Sequence, residues 1–229
     1  MSLKSFIVPR AAQKLLGEDR LNKQRKKFER GRMSNSEAHK VEFFHDPSDP
    51  YSQLLEKVLP RFAENYKIEL ITVSHAPVHP AFGYRIDYKD RSVAISGDTA
   101  YDPNIATASK DVDVLFHEAL NMEMVKTMQA AAKANGVKGL EKILFDIQDY
   151  HTSPVDAAKI AKQANANDLV LYHIVPMLPS DALIPMFVRG ASDEFDGKIT
   201  VSEDGTIVRL PVDSEAIIYE HGLWVKNRN

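Results

Sequence analysis

Alternation of apolar and polar residues sets in near residue 67 and governs the chain from there on. Three short runs rich in β-forming residues follow in quick succession: KIELITVSHA, GYRIDYKD and RSVAISGD. They predict three strands with antiparallel neighbours. Strand and helix signals then alternate. DVDVLFHEA reads as a strand, and EMVKTMQAAAKANG as a helix ending at Gly136. SPVDAAKIAKQANAN reads as a helix with Ser153 as its N-cap, Pro154 at its first position and Asp156 in its first turn. DLVLYHIVP is an apolar strand, SDALIPMFVRGASDEF a helix with a proline in it, and GKITVSEDGTIVRLP a β-hairpin turning at Asp204-Gly205. The pattern shows no internal repeat. It predicts a mixed α/β chain with a layered core.

The first third has a different character. Residues 10–33 are strongly basic with few apolar positions, which predicts a helix. Such a segment serves either as an RNA or phosphate contact or as a solvated helix or mobile arm, and the second use is the commoner. HDPSDP (45–50) is turn-rich and marks a boundary, and YSQLLEKVLPRFAENY reads as a helix interrupted at Pro60. The expected division is a basic helical amino-terminal region over 1–66 and a domain over 67–229.

Composition narrows the chemistry. With 229 residues, 44% hydrophobic and 27% charged, the chain has the make-up of an ordinary globular protein with a sizeable core. A net charge of −3 argues against a dedicated nucleic-acid binder. There is no cysteine, so any metal must be held by His, Asp or Glu. No signal peptide and no bilayer-length apolar run is visible, which sets a cytoplasmic location as the expectation.

Several polar residues fall at predicted strand ends. His75 ends one run, Asp98 another, His117 and Glu118 a third, and His173 a fourth, while His151 precedes a helix cap. One such histidine is usually structural, but several across consecutive strands can share a cleft. Imidazoles and a carboxylate suit zinc, manganese or iron, and Asp98 is placed to bridge two cations. The bland alternatives are a turn-forming Asp98, a His117–Glu118 pair steadying a loop, and a His151 packed beside a helix N-terminus.

Taken together, VSHAPVHPAFGYRIDYKDRSVAISGDT, DVLFHEAL, YHTSPVDAAKIAKQAN and LVLYHIVP resemble the carboxy-terminal half of metallo-β-lactamase-fold hydrolases. The branch is the ribonuclease Z and arylsulfatase-like group, and the likeness covers about residues 68–212. It implies an αβ/βα sandwich, incomplete at its amino-terminal half. It also implies that His75, Asp98 and His173 are metal ligands, with Asp98 as the bridge and His79 a weaker candidate. His151 would donate a proton to the leaving oxygen, and Glu118 would orient it. HEAL departs from the family's usual His-Glu-Ala-Thr at Leu120. The implied cofactor is one or two ions of zinc or manganese, and the implied activity is cleavage of a phosphodiester, sulfate or related ester by metal-activated water.

One departure weighs against a complete centre. The family's His-x-His-x-Asp-His cluster is absent, and the only histidines before residue 75 are His39 and His45. The chain could be part of a longer hydrolase, a diverged member working with one metal or none, or one whose missing ligands come from a second chain. Metal-dependent hydrolysis of a small ester or nucleic acid is the leading expectation. A non-catalytic scaffold and an RNA-processing endonuclease are the alternatives. A half-fold would expose apolar surface, which favours a homo-oligomer.

Overall fold

The computed structural model of the chain describes residues 64–221. The basic segment 10–33, the turn-rich 45–50 and most of the Pro60-interrupted segment lie outside the described residues, as do His39 and His45.

The three β-type runs form β1 (Lys67–His75), β2 (Val78–Tyr88) and β3 (Arg91–Ile95), which pair as antiparallel neighbours as the sequence predicts. Strand β4 (Val114–Leu120) then joins β3 in parallel, β5 (Asp168–Val175) joins β4, and β6 (Lys198–Val201) joins β5. The sheet order is β1-β2-β3-β4-β5-β6. Because β2 alone runs backwards, β1, β3, β4 and β5 all deliver their carboxyl ends to one edge. This topology gathers the residues singled out at strand ends.

Helices cover the sheet. α1 (Pro103–Ala108) is capped by the Asp102 side chain, which accepts from Asn104 N–H, with Pro103 in its first turn. α2 (Met122–Ala134) starts at Asn121, whose side chain accepts from Met124 N–H, and is followed by Gly136 at φ +68°. Next come α3 (Lys138–Asp146) and α4 (Pro154–Ala164); α4 has the expected Ser153 cap, accepting from Asp156 N–H. The main core joins Ile71 and Val73 of β1, Ala94 of β3, Leu115 and Ala119 of β4, and Leu169 and Leu171 of β5 to Ile105 of α1 and to the alanine-rich face of α4. Alanines at 157, 158, 161 and 164 let α4 lie close on the sheet. A second cluster, Leu120, Val125, Ala132 and Leu144, seats the α2–α3 pair at the end of β4.

Two expectations are corrected. SDALIPMFVRGASDEF is not one helix: it divides into a 3₁₀ turn over Asp181–Leu183, α5 (Ile184–Phe187) and α6 (Ala191–Glu194). Pro185 lacks an N–H and is tolerated only in a first turn, and Gly190 at φ +83° breaks the helix before α6. The segment 198–209 does turn near Asp204-Gly205, where Thr206 N–H donates to the Glu203 carbonyl at 3.0 Å. However, β6 pairs with β5, while β7 (Thr206–Arg209) pairs with β8 (Ile218–His221) in a separate two-stranded sheet. The local turn signal sets the reversal; pairing is decided by long-range partners, including Tyr219 Oη donating to Asp168 at 2.7 Å. No helix among the described residues is long and apolar enough to cross a membrane.

Candidate active site at the carboxyl ends of the parallel strands

The site begins where β3 ends. Gly97 has φ +66°, and a Cβ there would collide with the Phe82 carbonyl oxygen of β2, so glycine is required for the chain to leave the strand at that point. The loop that follows, carrying Asp98, is tied to the end of β1. Ala100 N–H and Thr99 Oγ1 both donate to the Ser74 carbonyl, at 2.7 and 3.2 Å, and Ser74 Oγ donates to Asp102 at 3.0 Å.

On β5 the ladder with β4 slips by one residue. Glu118 pairs with Tyr172, but Ala119 pairs with Ile174, leaving His173 as an extra residue in a β-bulge. Its φ of +43° places it in the left-handed region, unfavourable for a side chain bearing a Cβ. The bulge re-aims the imidazole, and His173 Nε2 stands 3.6 Å from Asp98 Oδ2, with both side chains nearly half exposed. Two donors at that spacing suit adjacent ligands of a divalent ion bound at roughly 2.0–2.2 Å.

The third group is buried. Glu118 has no exposed side-chain surface, and both its oxygens are used. Oε1 accepts from Thr152 N–H at 2.6 Å, and Oε2 accepts from His151 Nδ1 at 3.1 Å. The loop that supplies both partners is itself fastened to β4, since Leu120 N–H donates to the Thr152 carbonyl at 2.7 Å. Thr152 Oγ1 donates to the Thr99 carbonyl at 2.7 Å, linking this loop to the one that carries Asp98. Donation through Nδ1 leaves His151 Nε2 as the nitrogen that can exchange a proton.

The rings complete the picture. His151 lies 5.7 Å from the His173 ring and 5.5 Å from the His75 ring, centroid to centroid. His75 Nδ1 donates to the Tyr150 carbonyl at 3.0 Å, which leaves its Nε2 lone pair available as a ligand. Tyr150 packs against both, edge-on to His75 and tilted on His151. His79 occupies an exposed position near the start of β2. His117 is fully buried and donates through Nδ1 to the Glu118 carbonyl at 2.7 Å; burial holds its imidazole below the usual histidine range.

The structure therefore brings together His75, Asp98, Glu118, His151 and His173, all named from the sequence. Tyr150 and Thr152 were not singled out. Tyr150 could have been, as an aromatic residue directly before the HTSP turn, whereas Thr152 acts through its backbone N–H, which residue type does not reveal. As a metal site the set falls short. Among the described residues, no group of three or more histidine, aspartate or glutamate side chains is placed to hold a metal ion. Asp98 and His173 fit one side of a centre and do not make one by themselves.

A family model described as a β-lactamase superfamily domain matches residues 52–174. The ribonuclease Z of Mycobacterium avium is 28% identical over 151 residues, covering 66% of this chain and 49% of the relative. That of Mycobacterium tuberculosis H37Rv is 28% identical over 137 residues, covering 60% and 46%. Among solved structures, the metallo-β-lactamase fold protein YhfI of Bacillus subtilis aligns with a TM-score of 0.43 at 20% identity, covering 60% of this chain and 47% of that one. The short form of human tRNase Z aligns at 0.41 and 22%, covering 65% and 45%. The chain spans about half the length of the curated relatives it matches. With more than half of its length matched by that family model, the chain belongs to the β-lactamase superfamily.

Proposed function

We propose that this chain carries the acid–base half of a phosphodiester hydrolase site related to that of ribonuclease Z. The supporting observation is the Glu118–His151 pair, a fully buried carboxylate holding one face of an imidazole at the site edge. His151 Nε2 delivers a proton to the leaving oxygen as the ester bond breaks. Glu118 fixes the tautomer and steadies the positive charge on the ring before that transfer. Thr152 N–H holds the second carboxylate oxygen, so Glu118 cannot swing away as His151 changes charge.

Dependence on zinc or manganese belongs to the same proposal. A bound ion would supply a water activated for attack, and Asp98, His173 and the free Nε2 of His75 are the donors this chain offers. The described residues do not complete such a centre, so further donors would have to come from elsewhere in the chain, from a longer protein of which it is a part, or from a second copy. Self-association is also part of the proposal, supported by Val137, Leu140, Ile143 and Phe145 on and before α3, each at least 43% exposed. Light scattering tests it directly.

The test of function measures bound zinc and manganese, and turnover of bis(p-nitrophenyl) phosphate and of an RNA oligonucleotide, by the whole chain. Metal-dependent turnover that His151→Ala abolishes is the expected result. The scaffold reading is favoured by the incomplete ligand set. It would be established by a pure, folded chain with no metal uptake, no effect of metal on melting and no turnover of either substrate.

A further inference from the structure

Histidine 117 is buried beyond any substrate's reach, yet it is polar on both edges of its ring. Its neighbours in the β4 alternation, Leu115 and Ala119, belong to the main core, so the ring is directed into the layer beneath α4 and α1. Its Nε2 has no hydrogen-bond partner among the described residues. A neutral ring protonated on Nδ1 resolves this, since a bare lone pair on Nε2 is cheaper to bury unpaired than an N–H donor or a charge. Packing alone would be served better by leucine, which has no polar atom to strand.

What the ring does instead is donate. Nδ1 reaches the Glu118 carbonyl at 2.7 Å, at the residue where the β4–β5 register slips. That carbonyl points to the β3 side of β4, where β3 has ended at Ile95. On the same side, Glu118 N–H donates to Ser96 Oγ at 3.0 Å, again to a side chain rather than to a neighbouring strand. Side chains therefore fasten Glu118 at both backbone groups, while Thr152 and His151 fasten its carboxylate.

We propose that His117 is a positioning residue, which clamps the Glu118 backbone where β4 runs past the end of β3, so that its carboxylate meets His151 Nδ1 and Thr152 N–H. This inference rests on the acid–base reading of Glu118 and His151 for its consequence in turnover, but not for its geometry. It sets a specific order among substitutions. Asparagine places an amide N–H where Nδ1 stands, whereas glutamine places it where Nε2 stands. Glutamine fills the space better. A clamp therefore predicts that His117→Asn outperforms His117→Gln, and a packing role predicts the reverse.

The experiment compares the whole chain and its His117→Asn, His117→Gln and His117→Leu forms by amide NMR. The readout is the shift and exchange protection of Thr152 N–H, whose bond to Glu118 reports where the carboxylate sits. Expected is protection close to wild type in His117→Asn, and a loss of about 10-fold or more in His117→Gln and His117→Leu. Turnover of bis(p-nitrophenyl) phosphate should follow the same order, falling about 10- to 100-fold in the two weak forms. If His117→Gln or His117→Leu keeps Thr152 protected, or if His117→Asn loses it equally, the clamp is wrong. Absence of turnover in every form, wild type included, would remove the acid–base reading and leave the amide comparison to decide the clamp. Should His117→Leu fail to fold, the asparagine–glutamine order alone decides.

Discussion

Glu118 and His151 meet at 3.1 Å across 33 positions of sequence, one on a central strand and the other in a loop stitched to that strand's end. The carboxylate is wholly buried and the imidazole side chain only 7% exposed. A buried carboxylate is costly unless its oxygens are bonded, and here each has a donor. Burial also keeps solvent from screening the pair, so a charge on His151 is felt strongly by Glu118. The arrangement holds the ring in one orientation, with Nε2 turned away from the carboxylate.

Glu118→Gln tests the charge while keeping the shape. The glutamine carbonyl can still accept from Thr152, but its amide presents N–H to His151 Nδ1. The ring must then carry its proton on Nε2 and hold a fixed, neutral tautomer. We expect a folded protein whose phosphodiesterase turnover is lower by about 10²- to 10⁴-fold. Turnover within threefold of wild type would show that the pair does not act in the reaction.

At position 173 the expected trade is between stability and site. Left-handed backbone costs a residue with a Cβ roughly 1–2 kcal/mol, a cost glycine avoids. His173→Gly should therefore exceed His173→Ala in stability to urea by about 1 kcal/mol, while both lose the imidazole facing Asp98. Equal stability of the two would remove the bulge as a source of strain.

The burial of His117 makes stability depend on pH. Its folded value is pushed below that of the unfolded chain, near 6.5, so on acidification the unfolded chain takes up this proton first. The contribution is full above about pH 6.5 and declines below it, with a slope of up to about 1.4 kcal/mol per pH unit. Between pH 7 and 5, urea denaturation should show a steeper loss in wild type than in His117→Asn. Parallel curves would contradict the burial of a neutral ring.

At the far edge of the sheet, Arg91 and Asp113 pair at 3.0 Å with side chains only 6% and 12% exposed. The guanidinium also donates to the carbonyls of Ser214 and Ala216, fastening the approach to β8. Removing one partner strands a buried charge, so Asp113→Ala should lower stability by about 3–5 kcal/mol. The double change Arg91→Met with Asp113→Leu should recover much of that loss. A small effect of the single change would mean the arginine is held by the carbonyls alone.

Much of this architecture is legible in the chain because local signals and long-range packing agree there. The Ser153-Pro154 cap, the alternating strands β1 to β3 and the apolar β4 and β5 each satisfy propensity and burial at once. Helix α1 has its start signal in Asp102-Pro103, but its six residues are too few to show a helical period of their own. Helix α3 gives a weaker signal, having Gly139 in its first turn and no side-chain cap at Val137. The fate of residues 198–209 was not legible, because a turn sequence fixes a reversal and says nothing about which strand lies alongside. Convergence of His75, Asp98, Glu118, His151 and His173 could be anticipated from strand ends. The slip that turns His173 toward Asp98 could not, since a bulge exists only as a mismatch between two strands.

That mismatch makes the site separable from the sheet. Leu171 and Ile174 lie with Ala119 on the main core, and Val175 lies with Leu120 on the second cluster, so the residues on either side of His173 already alternate face for face. Deleting His173 would close the ladder and leave those faces as they are. The Val175 carbonyl, which accepts from Asn121 N–H at 2.8 Å at the cap of α2, would keep its place beside β4. The strand thus carries its histidine as a detachable residue. Lineages that abandon the chemistry can shorten β5 by one residue as readily as they change its letter.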